Sequence, residues 1–309
     1  MAVIEITGLH KRYRELLALK GIDLTIEEGD IYGFIGPNGA GKTTTIRILA
    51  TLLAPSGGTA KVMDMDVTRK PYEVKRVVGY MPDFFGVYDG MRLKEYLDFF
   101  GAAYKIPAKQ RRAIIDDVLE LTDLTSRADD FVSAFSRGLK QRCCLAKTLI
   151  HDPKVLLLDE PASGLDPRAR LEIKELLKTL RDMGKTILIS SHILSELADM
   201  CNKVAIIERG QLLADGDYRA ILDGIRQARQ LRVQVLNPDD TTADTLRAIP
   251  GVQEVAQTGD EFLIETVYER TRFGEILQAL IDRKVHVVGF SEKEGSLEEV
   301  FLHVTKGGV

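Results

Sequence analysis

Cysteine is scarce in this sequence. The three cysteines, Cys143, Cys144 and Cys201, do not occur at a spacing that would hold a metal ion. Adjacent cysteines are also poorly placed to join each other in an ordinary disulfide. We therefore interpret all three as reduced side chains that pack in the interior, and neither a cysteine metal site nor a disulfide framework is expected.

Long apolar runs are missing as well. No stretch approaches the roughly 18 consecutive apolar residues that cross a bilayer. The N-terminal residues Met1 to Glu5 lack the charged and apolar regions of a signal peptide. From these two features we expect the chain to stay in the cytoplasm.

The third shortage is of positive charge. The 42 lysines and arginines are outnumbered by 46 aspartates and glutamates, so the formal net charge is −4. A protein that covers many phosphates of a nucleic acid needs a basic surface. We therefore predict no nucleic-acid partner, although a local basic patch is compatible with a nearly neutral total.

What the sequence does contain is typical of a folded protein. Its hydrophobic share of 45% and charged share of 28% are those of a globular chain. Because 309 residues exceed the size of one ordinary core, we expect two domains.

Residues 36–44 read Gly-Pro-Asn-Gly-Ala-Gly-Lys-Thr-Thr and match the phosphate-binding loop G-x-x-x-x-G-K-[ST]. Glycines let successive backbone N–H groups turn inward around phosphate oxygens. Lys42 supplies a positive charge to the β and γ phosphates, and the Thr43 hydroxyl can bind Mg²⁺. An apolar run at residues 30–35 predicts a strand before the loop, and residues 44–49 can open a helix aimed at the phosphates. This order of elements favours nucleotide binding over a glycine-rich turn without a ligand.

Two acids follow another apolar strand. The run at residues 155–158 is continuously apolar, as in a central parallel strand, and it ends in Asp159 and Glu160. Acids at the end of a buried strand are costly unless they meet a cation or water. In a phosphate-loop protein Asp159 would serve Mg²⁺ and Glu160 would polarise an attacking water. A further strand, residues 186–190, brings His192 to the same edge, which favours a functional role over that of a surface histidine.

Two weaker signals, Tyr13 and Ser136, allow more than one interpretation. Tyr13 falls in a predicted polar turn, where it could stack on an adenine or be an ordinary surface tyrosine. Ser136 precedes a predicted helix, and a helix N-cap is a simpler explanation for it than an anion site. Apolar residues at helical spacing predict a helical insert at about residues 90–150 of an α/β domain.

The C-terminal part follows a different order. Between residues 231 and 290 the pattern is strand, helix, strand, strand, helix, strand, with strands predicted at residues 231–236, 252–256, 261–266 and 284–290. This order indicates a small split βαβ module of ferredoxin-like type. Residues 296–302 begin with a capping box and predict a final helix. We find no catalytic constellation there, so we favour a packing or dimer-supporting domain over a ligand sensor.

In their order, these motifs resemble those of the ATP-binding subunits of ABC transporters, over roughly residues 2–220. The resemblance implies an α/β phosphate-loop ATPase domain at residues 1–222, with a mixed sheet core, an antiparallel β subdomain and the helical insert. A small α+β accessory domain would occupy residues 228–309. This tail resembles those of exporter-type ATPases that pair with a separately encoded membrane subunit.

The resemblance also implies site residues. Glu160 would be the general base, His192 the switch histidine on the γ-phosphate, and Lys42 the third catalytic residue. The residues that would bind ATP are Tyr13, Gly36, Pro37, Asn38, Gly39, Ala40, Gly41, Lys42, Thr43, Thr44, Ser136, Gly138, Gln141 and Asp166. Those that would serve Mg²⁺ are Thr43, Asp83 and Asp159.

Two positions depart from the family's pattern. Arg137 stands in place of the first glycine of the signature motif, while Ser136 and the second glycine, Gly138, remain. Asp83 stands where the family usually has a glutamine that senses the γ-phosphate. Aspartate is shorter by one methylene and, when ionised, cannot donate a hydrogen bond. We hypothesise that Asp83 permits ATP binding but alters hydrolysis or its coupling to transport.

The function implied by the resemblance is that of a motor. Two copies would sandwich two ATP molecules with Mg²⁺ and drive a separate integral membrane subunit from the cytoplasmic face, with export favoured over import. The helical insert and the Asp83 loop would form the docking surface, and the cargo is not encoded here.

Two other functions are weighed against it. A soluble ABC-type ATPase acting in translation or nucleic-acid maintenance usually has two fused ATPase domains or a long coiled-coil insert, and neither is visible. A nucleotide-binding regulator with little turnover is disfavoured because Glu160 and His192 are intact.

Overall fold

The computed structural model describes residues 1–83, 86, 88, 90–193, 197, 200–218, 220–221, 229–238 and 242–293. The chain divides into two compact units, Met1–Tyr218 and Arg219–Val309. The final helix predicted at residues 296–302 lies outside the described residues. Within the described part of the chain, no helix combines the length and apolar character needed to span a membrane.

An antiparallel sheet starts the N-terminal unit. Its strands are β1 (Ala2–Tyr13), β2 (Leu16–Glu27), β4 (Gly57–Val62) and β5 (Met65–Asp66), in the order β2-β1-β4-β5. The inner face of the sheet is apolar, as alternation in the strands requires. This is the antiparallel β subdomain that the resemblance implied.

The polar turn between β1 and β2 was predicted too early in the chain. Tyr13 lies inside β1, paired with Leu16 of β2, and only residues 14–15 separate the two strands. Backbone pairing continues through exposed residues at the tip of the hairpin, and an apolar pattern cannot detect strands whose side chains stay in water.

The second sheet is mixed, as predicted, and has the order β10-β9-β3-β8-β7-β6. Its strands are β3 (Ile31–Ile35), β6 (Val78–Met81), β7 (Val155–Asp159), β8 (Thr186–Ser191), β9 (Lys203–Glu208) and β10 (Gln211–Asp217). All neighbours are parallel except β10, which is antiparallel to β9. Parallel strands end at one common edge, where open α/β sheets bind ligands.

Helices connect these strands. They are α1 (Lys42–Leu49), α2 (Pro71–Val77), α3 (Leu93–Ala103), α4 (Ala108–Leu121), α5 (Arg137–Leu149) and α6 (Pro167–Asp182). Short 3-10 turns lie at Thr125–Arg127 and Val132–Ala134. Helices α3, α4 and α5 form the predicted insert.

Helix α2 was not predicted, and it leads directly into β6. Val74 is the single buried residue of α2, so the helix carries no apolar stripe that a periodicity argument could detect. A proline at its first position, Pro71, favours the start of the helix through its fixed φ.

The core of this unit lies where both sheets and α1 meet. Ile46 and Leu49 of α1 are fully buried there with Phe34 of β3 and Leu157 of β7. Each such side chain contributes about 1.5–3 kcal/mol when it leaves water. The loop between β3 and α1 is therefore held at both ends by packed elements.

The C-terminal unit has the predicted ferredoxin-like order. Its elements are β11 (Arg229–Val235), α7 (Thr242–Arg247), β12 (Val252–Thr258), β13 (Glu261–Thr266), α8 (Phe273–Asp282) and β14 (Val287–Lys293). The sheet order β12-β13-β11-β14 is antiparallel throughout and interleaves two βαβ halves.

Two strand boundaries in this unit differ from the prediction. Strand β14 starts at Val287 rather than Lys284, because Lys284 has a left-handed φ of 63° just after α8 ends. Strand β12 extends to Thr258, beyond the predicted end at Ala256, because its pairing with β13 continues to the hairpin turn.

Candidate nucleotide-binding and hydrolysis site

The predicted phosphate loop connects β3 to α1 along a path that requires glycine at two points. A Cβ on Gly36 would lie 2.1 Å from the backbone oxygen of Ile207. Gly41 has a φ of 118°, a conformation that L side chains rarely adopt. The Gly36 N–H donates to the Ser191 carbonyl at 3.3 Å, which ties the loop to the end of β8.

The first turn of α1 is suited to an anion. Its N-cap is Gly41, and no described side chain caps the helix. The first N–H groups of a helix have no acceptor within it and carry partial positive charge. Asn38 and Gly39 are exposed, and Thr43 and Thr44 are half-buried, so the turn is open to a phosphate.

Lys42 extends from this turn into the site. Its side chain is buried, and Nζ donates to the carbonyls of Gly36 and Pro37. The same nitrogen lies 3.4 Å from Glu160 Oε1. One cation therefore lies within reach of both the phosphate loop and the predicted general base.

Asp159 is fully buried and only half satisfied. Its Oδ1 accepts a hydrogen bond from Ser190 Oγ at 2.6 Å, whereas Oδ2 has no hydrogen-bond partner among the described residues. A buried carboxylate oxygen without a donor is costly unless a cation meets it. Sites that bind Mg²⁺ together with substrate phosphates use only one or two carboxylates. Asp159 therefore fits the predicted role of a Mg²⁺ ligand. Thr43, the other predicted ligand with a side-chain oxygen close to the phosphates, belongs to the phosphate loop itself.

Glu160 connects the predicted catalytic residues. Its Oε2 lies 2.8 Å from Nδ1 of His192, which donates to the carboxylate, and its Oε1 faces Lys42. Glu160 adopts a left-handed φ of 52°, a conformation that is uncommon for residues other than glycine. The structure thus brings Lys42, Glu160 and His192 together at the edge where the parallel strands end.

Ser190 is a site residue that the sequence analysis missed. Its hydroxyl donates to Asp159 and accepts from the Glu160 N–H at 3.0 Å, so one side chain holds both acids. Ser190 is opposite Asp159 in the pairing of β8 with β7. That register is the signal that identifies it, and a single sequence does not display it.

The predicted signature residues lie apart from the phosphate loop of their own chain. Ser136 is exposed and caps α5, where its Oγ accepts from the Leu139 N–H at 3.4 Å. This helix end and residues 164–166 both line a cleft of about 460 Å³. Within the described chain, no hydrogen bond or ion pair joins Ser136, Arg137 or Gly138 to the phosphate loop.

The Arg137 side chain lies against Gly164, in the loop that precedes α6. A Cβ on Gly164 would be 2.4 Å from its Cζ, so the guanidinium covers this glycine. Next to it, a Cβ on Gly138 would meet only ordinary contacts at 3.6 Å or more. Arg137, which replaces the first glycine of the signature, therefore places an exposed positive charge against the backbone of Gly164.

Two predicted ATP ligands are engaged within their own chain. The Gln141 amide nitrogen donates to the Pro161 carbonyl and lies 3.5 Å from that of Glu160. Asp166 caps α6, where its Oδ1 accepts from the N–H groups of Arg168 and Ala169 at 3.0 Å. These contacts position neighbouring backbone.

The remaining predicted residues lie at the rim. Tyr13 is 41% exposed, which leaves its ring face available for stacking, and Lys11 Nζ lies 5.2 Å from the ring centroid. Asp83 follows β6, the strand next to β7, and is exposed. It forms no hydrogen bond or ion pair with another described residue.

Both parts of the chain match known protein families. Residues 19–163 match the family described as ABC transporter, and residues 222–305 match the C-terminal domain of DrrA1-3-like ATP-binding proteins. The chain is 32% identical to Nod factor export ATP-binding protein I of Burkholderia lata, over 99% of this chain and 97% of that protein. It is also 32% identical to daunorubicin resistance ATP-binding protein DrrA3 of Streptomyces coeruleorubidus, over 98% of this chain and 95% of that protein.

Solved structures show the same fold. One described as the ATP-binding subunit of an ABC transporter matches with a TM-score of 0.66 and 27% identity. The match covers 72% of this chain and 93% of that chain.

Proposed function

This chain belongs to the ATP-binding subunits of ABC transporters, a family that hydrolyses ATP, and we propose that it powers export by a separate membrane subunit. The observation that carries the proposal is the meeting of Lys42, Glu160 and His192 beside the half-satisfied Asp159. Two relatives that match over at least 95% of their length are named for export and for drug resistance. Neither relative is named for translation or nucleic-acid maintenance, so the soluble ATPase alternative is not favoured.

Each residue has a distinct task toward ATP. The first turn of α1 and Lys42 bind the phosphates, and the exposed ring of Tyr13 stacks on the adenine. Thr43 and Asp159 would hold Mg²⁺, with Asp83 at the rim of the same site, and the ion would offset charge on the phosphates. Glu160 orients a water and accepts its proton, while His192 holds the Glu160 carboxylate and faces the γ-phosphate.

The separation of the signature from its own phosphate loop supports a dimer. In a sandwich of two copies, Ser136 and Gly138 of one copy reach the ATP bound by the phosphate loop of the other. The exposed N-terminus of α5 then adds backbone and hydroxyl donors to the γ-phosphate. Arg137, exposed beside them, brings a further positive charge to the same interface.

The helical insert supplies the docking surface for the membrane subunit. Phe99 is 44% exposed and packs against Tyr88, which is 51% exposed and lies in the segment after Asp83. A groove of about 700 Å³ runs between α3 and α4 beside Phe99. Exposed aromatic side chains next to a concave surface are typical of protein interfaces.

Glu160→Gln tests the motor. The amide keeps the shape of the side chain but cannot accept the proton of water, so ATP should bind without turnover. We expect the variant to sediment as a dimer in ATP with Mg²⁺ and as a monomer without nucleotide. Glu175→Gln, an exposed α6 position paired with Lys178, is the matched control. A Glu160→Gln chain that stays monomeric in ATP would contradict the sandwich.

Purification from detergent-solubilised native membranes tests export coupling. The expected result is a stoichiometric polytopic membrane protein that stimulates ATP hydrolysis and is lost with Phe99→Glu. Ribosomal or nucleic-acid-handling proteins in its place would support the soluble alternative.

A further inference from the structure

We propose that Gln141 is a positioning residue for Glu160, and that it links the signature helix to the hydrolytic carboxylate. The sequence interpretation made Gln141 an ATP ligand. This inference rests on the proposed function, because it takes Glu160 as the residue that activates water.

The contacts of Gln141 are directed at the backbone of its own chain. The residue is 3% exposed, and its Nε2 donates to the Pro161 carbonyl. The carbonyl of Glu160 lies 3.5 Å from the same nitrogen. A side-chain amide offers two N–H donors, and here both face the two peptide groups that follow the catalytic acid. A buried amide committed in this way is not free to bind a phosphate.

The backbone of Glu160 needs such support. Its left-handed φ of 52° is kept only where the surroundings over-determine the conformation. Ser190 Oγ accepts from the Glu160 N–H, and Gln141 holds the carbonyl side. The peptide is thus clamped from both sides, while its carboxylate faces His192 at 2.8 Å. Without the Gln141 donor, the Pro161 carbonyl loses this partner, whereas the Glu160 carbonyl still accepts from the Ser163 N–H at 3.1 Å. We expect the carboxylate of Glu160 to lose its fixed direction as a result.

Gln141 also lies on the helix whose N-cap is Ser136. In the proposed sandwich, Ser136 faces the ATP of the other copy, whereas Gln141 holds the Glu160 that serves the ATP of its own copy. Helix α5 therefore connects the ATP bound by the other copy, through Ser136, to the Glu160 that acts on the ATP of its own copy, through Gln141. Hydrolysis should depend on this connection much more than nucleotide affinity does.

Gln141→Met tests the proposal, because methionine has similar length but no donor. Thr148→Val is the matched control, since it also removes a buried side-chain hydrogen bond from α5, from Oγ1 to the Cys144 carbonyl at 2.8 Å. For each purified chain we would measure the affinity for ATP with Mg²⁺, kcat, KM and Tm. We expect kcat of Gln141→Met to fall about tenfold or more, with ATP affinity within about twofold of wild type and a Tm loss like that of the control.

Gln141→Glu gives an independent readout. An ionised carboxylate has no donor and faces two carbonyls, whereas the protonated form donates one O–H to Pro161. Burial favours the neutral form. We expect kcat of this variant to rise toward wild type as the pH falls from about 8 to about 6, without a matching rise in wild type.

Two results would overturn the positioning role. One is a weaker ATP affinity at unchanged kcat, which would make Gln141 the nucleotide ligand that its motif suggests. The other is a kcat no lower than that of Thr148→Val, together with a pH profile of Gln141→Glu parallel to wild type. Failure of the proposed function is distinguishable, because wild type itself would then not hydrolyse ATP and Glu160→Gln would not dimerise.

Discussion

The parallel edge of the six-stranded sheet and one face of the C-terminal sheet both carry polar side chains, but these side chains have different partners. At the parallel edge Lys42, Asp159 and Glu160 are buried, and the Oδ2 atom of Asp159 has neither a hydrogen bond nor an ion pair with another described residue. On the C-terminal sheet they pair with one another in partial contact with water. Arg232 lies 3.0 Å from Glu261, and Gln230 donates to Glu265 at 2.8 Å.

The difference follows from strand direction. Parallel strands bring their carboxyl ends to one edge, so residues that follow β3, β7 and β8 meet around a single point. In the antiparallel C-terminal sheet, successive strands end at opposite edges and polar residues spread over a face. Half-exposed paired charges contribute at most about 1 kcal/mol each and need no ligand. We therefore propose that the C-terminal unit supports packing or assembly.

Asp159→Asn should have the largest effect on hydrolysis. It keeps an acceptor for Ser190 but removes the charge that a cation requires, so we expect ATPase activity to fall at least about 100-fold. We would measure kcat over a titration of Mg²⁺, and the Mg²⁺ concentration at half-maximal kcat should also increase. Asp182→Asn, an exposed position paired with Arg181, is the control. Equal kcat values for the two variants would mean that the buried carboxylate of Asp159 is not required for ATP hydrolysis.

Ser190→Ala comes next. It removes the hydroxyl that holds Asp159 and the Glu160 N–H, and we expect kcat to fall about tenfold with little change in ATP affinity. Ser56→Ala, which removes an acceptor from the Arg12 N–H in the antiparallel sheet, is the control. If ATP affinity fell and kcat did not, the serine would serve the nucleotide rather than the acids.

Asp83→Gln should change hydrolysis only severalfold, because Asp83 is exposed and makes no described contact at the edge. Glutamine restores a hydrogen-bond donor and removes a negative charge near the phosphates. We expect kcat and the Mg²⁺ dependence to shift together in steady-state assays. Unchanged values for both would refute the hypothesis that Asp83 alters hydrolysis, and the coupling of ATPase activity to the membrane subunit would then need its own assay.

Phe262→Leu should affect hydrolysis least. Phe262 is fully buried in the core of the C-terminal unit, and the smaller side chain should lower the unfolding free energy of that unit by about 1–2 kcal/mol. We expect kcat within about twofold of wild type, with the loss seen in chemical denaturation. A large fall in kcat would show that the C-terminal unit acts on the site.

Much of the site was predictable because its signals are local. The phosphate loop must bend through Gly36 and Gly41, whose conformations other residues rarely adopt, so the motif itself reports the backbone. Asp159 and Glu160 directly follow the continuously apolar run at residues 155–158, which predicts that they are polar groups at a buried edge. The fold class followed from the same elements and their order, and it is confirmed.

The predicted secondary structure was wrong where the backbone forms regular hydrogen bonds but the side chains remain exposed to water. Tyr13 continues β1 although its neighbours are exposed, and α2 has a single buried residue, Val74. Hydrophobic periodicity detects side chains that leave water, not backbone hydrogen bonds that form at the surface.

The sequence alone was sufficient to predict a phosphate-binding loop, the pair of acids and the order of elements in both units, because each rests on neighbours in the chain. Only tertiary structure could bring Ser190 opposite Asp159, since the register of β7 and β8 depends on packing across distant segments. The same holds for Gln141, which reads as part of a ligand motif yet donates to Pro161, 20 residues away. A buried amide binds whichever acceptor the fold places beside it.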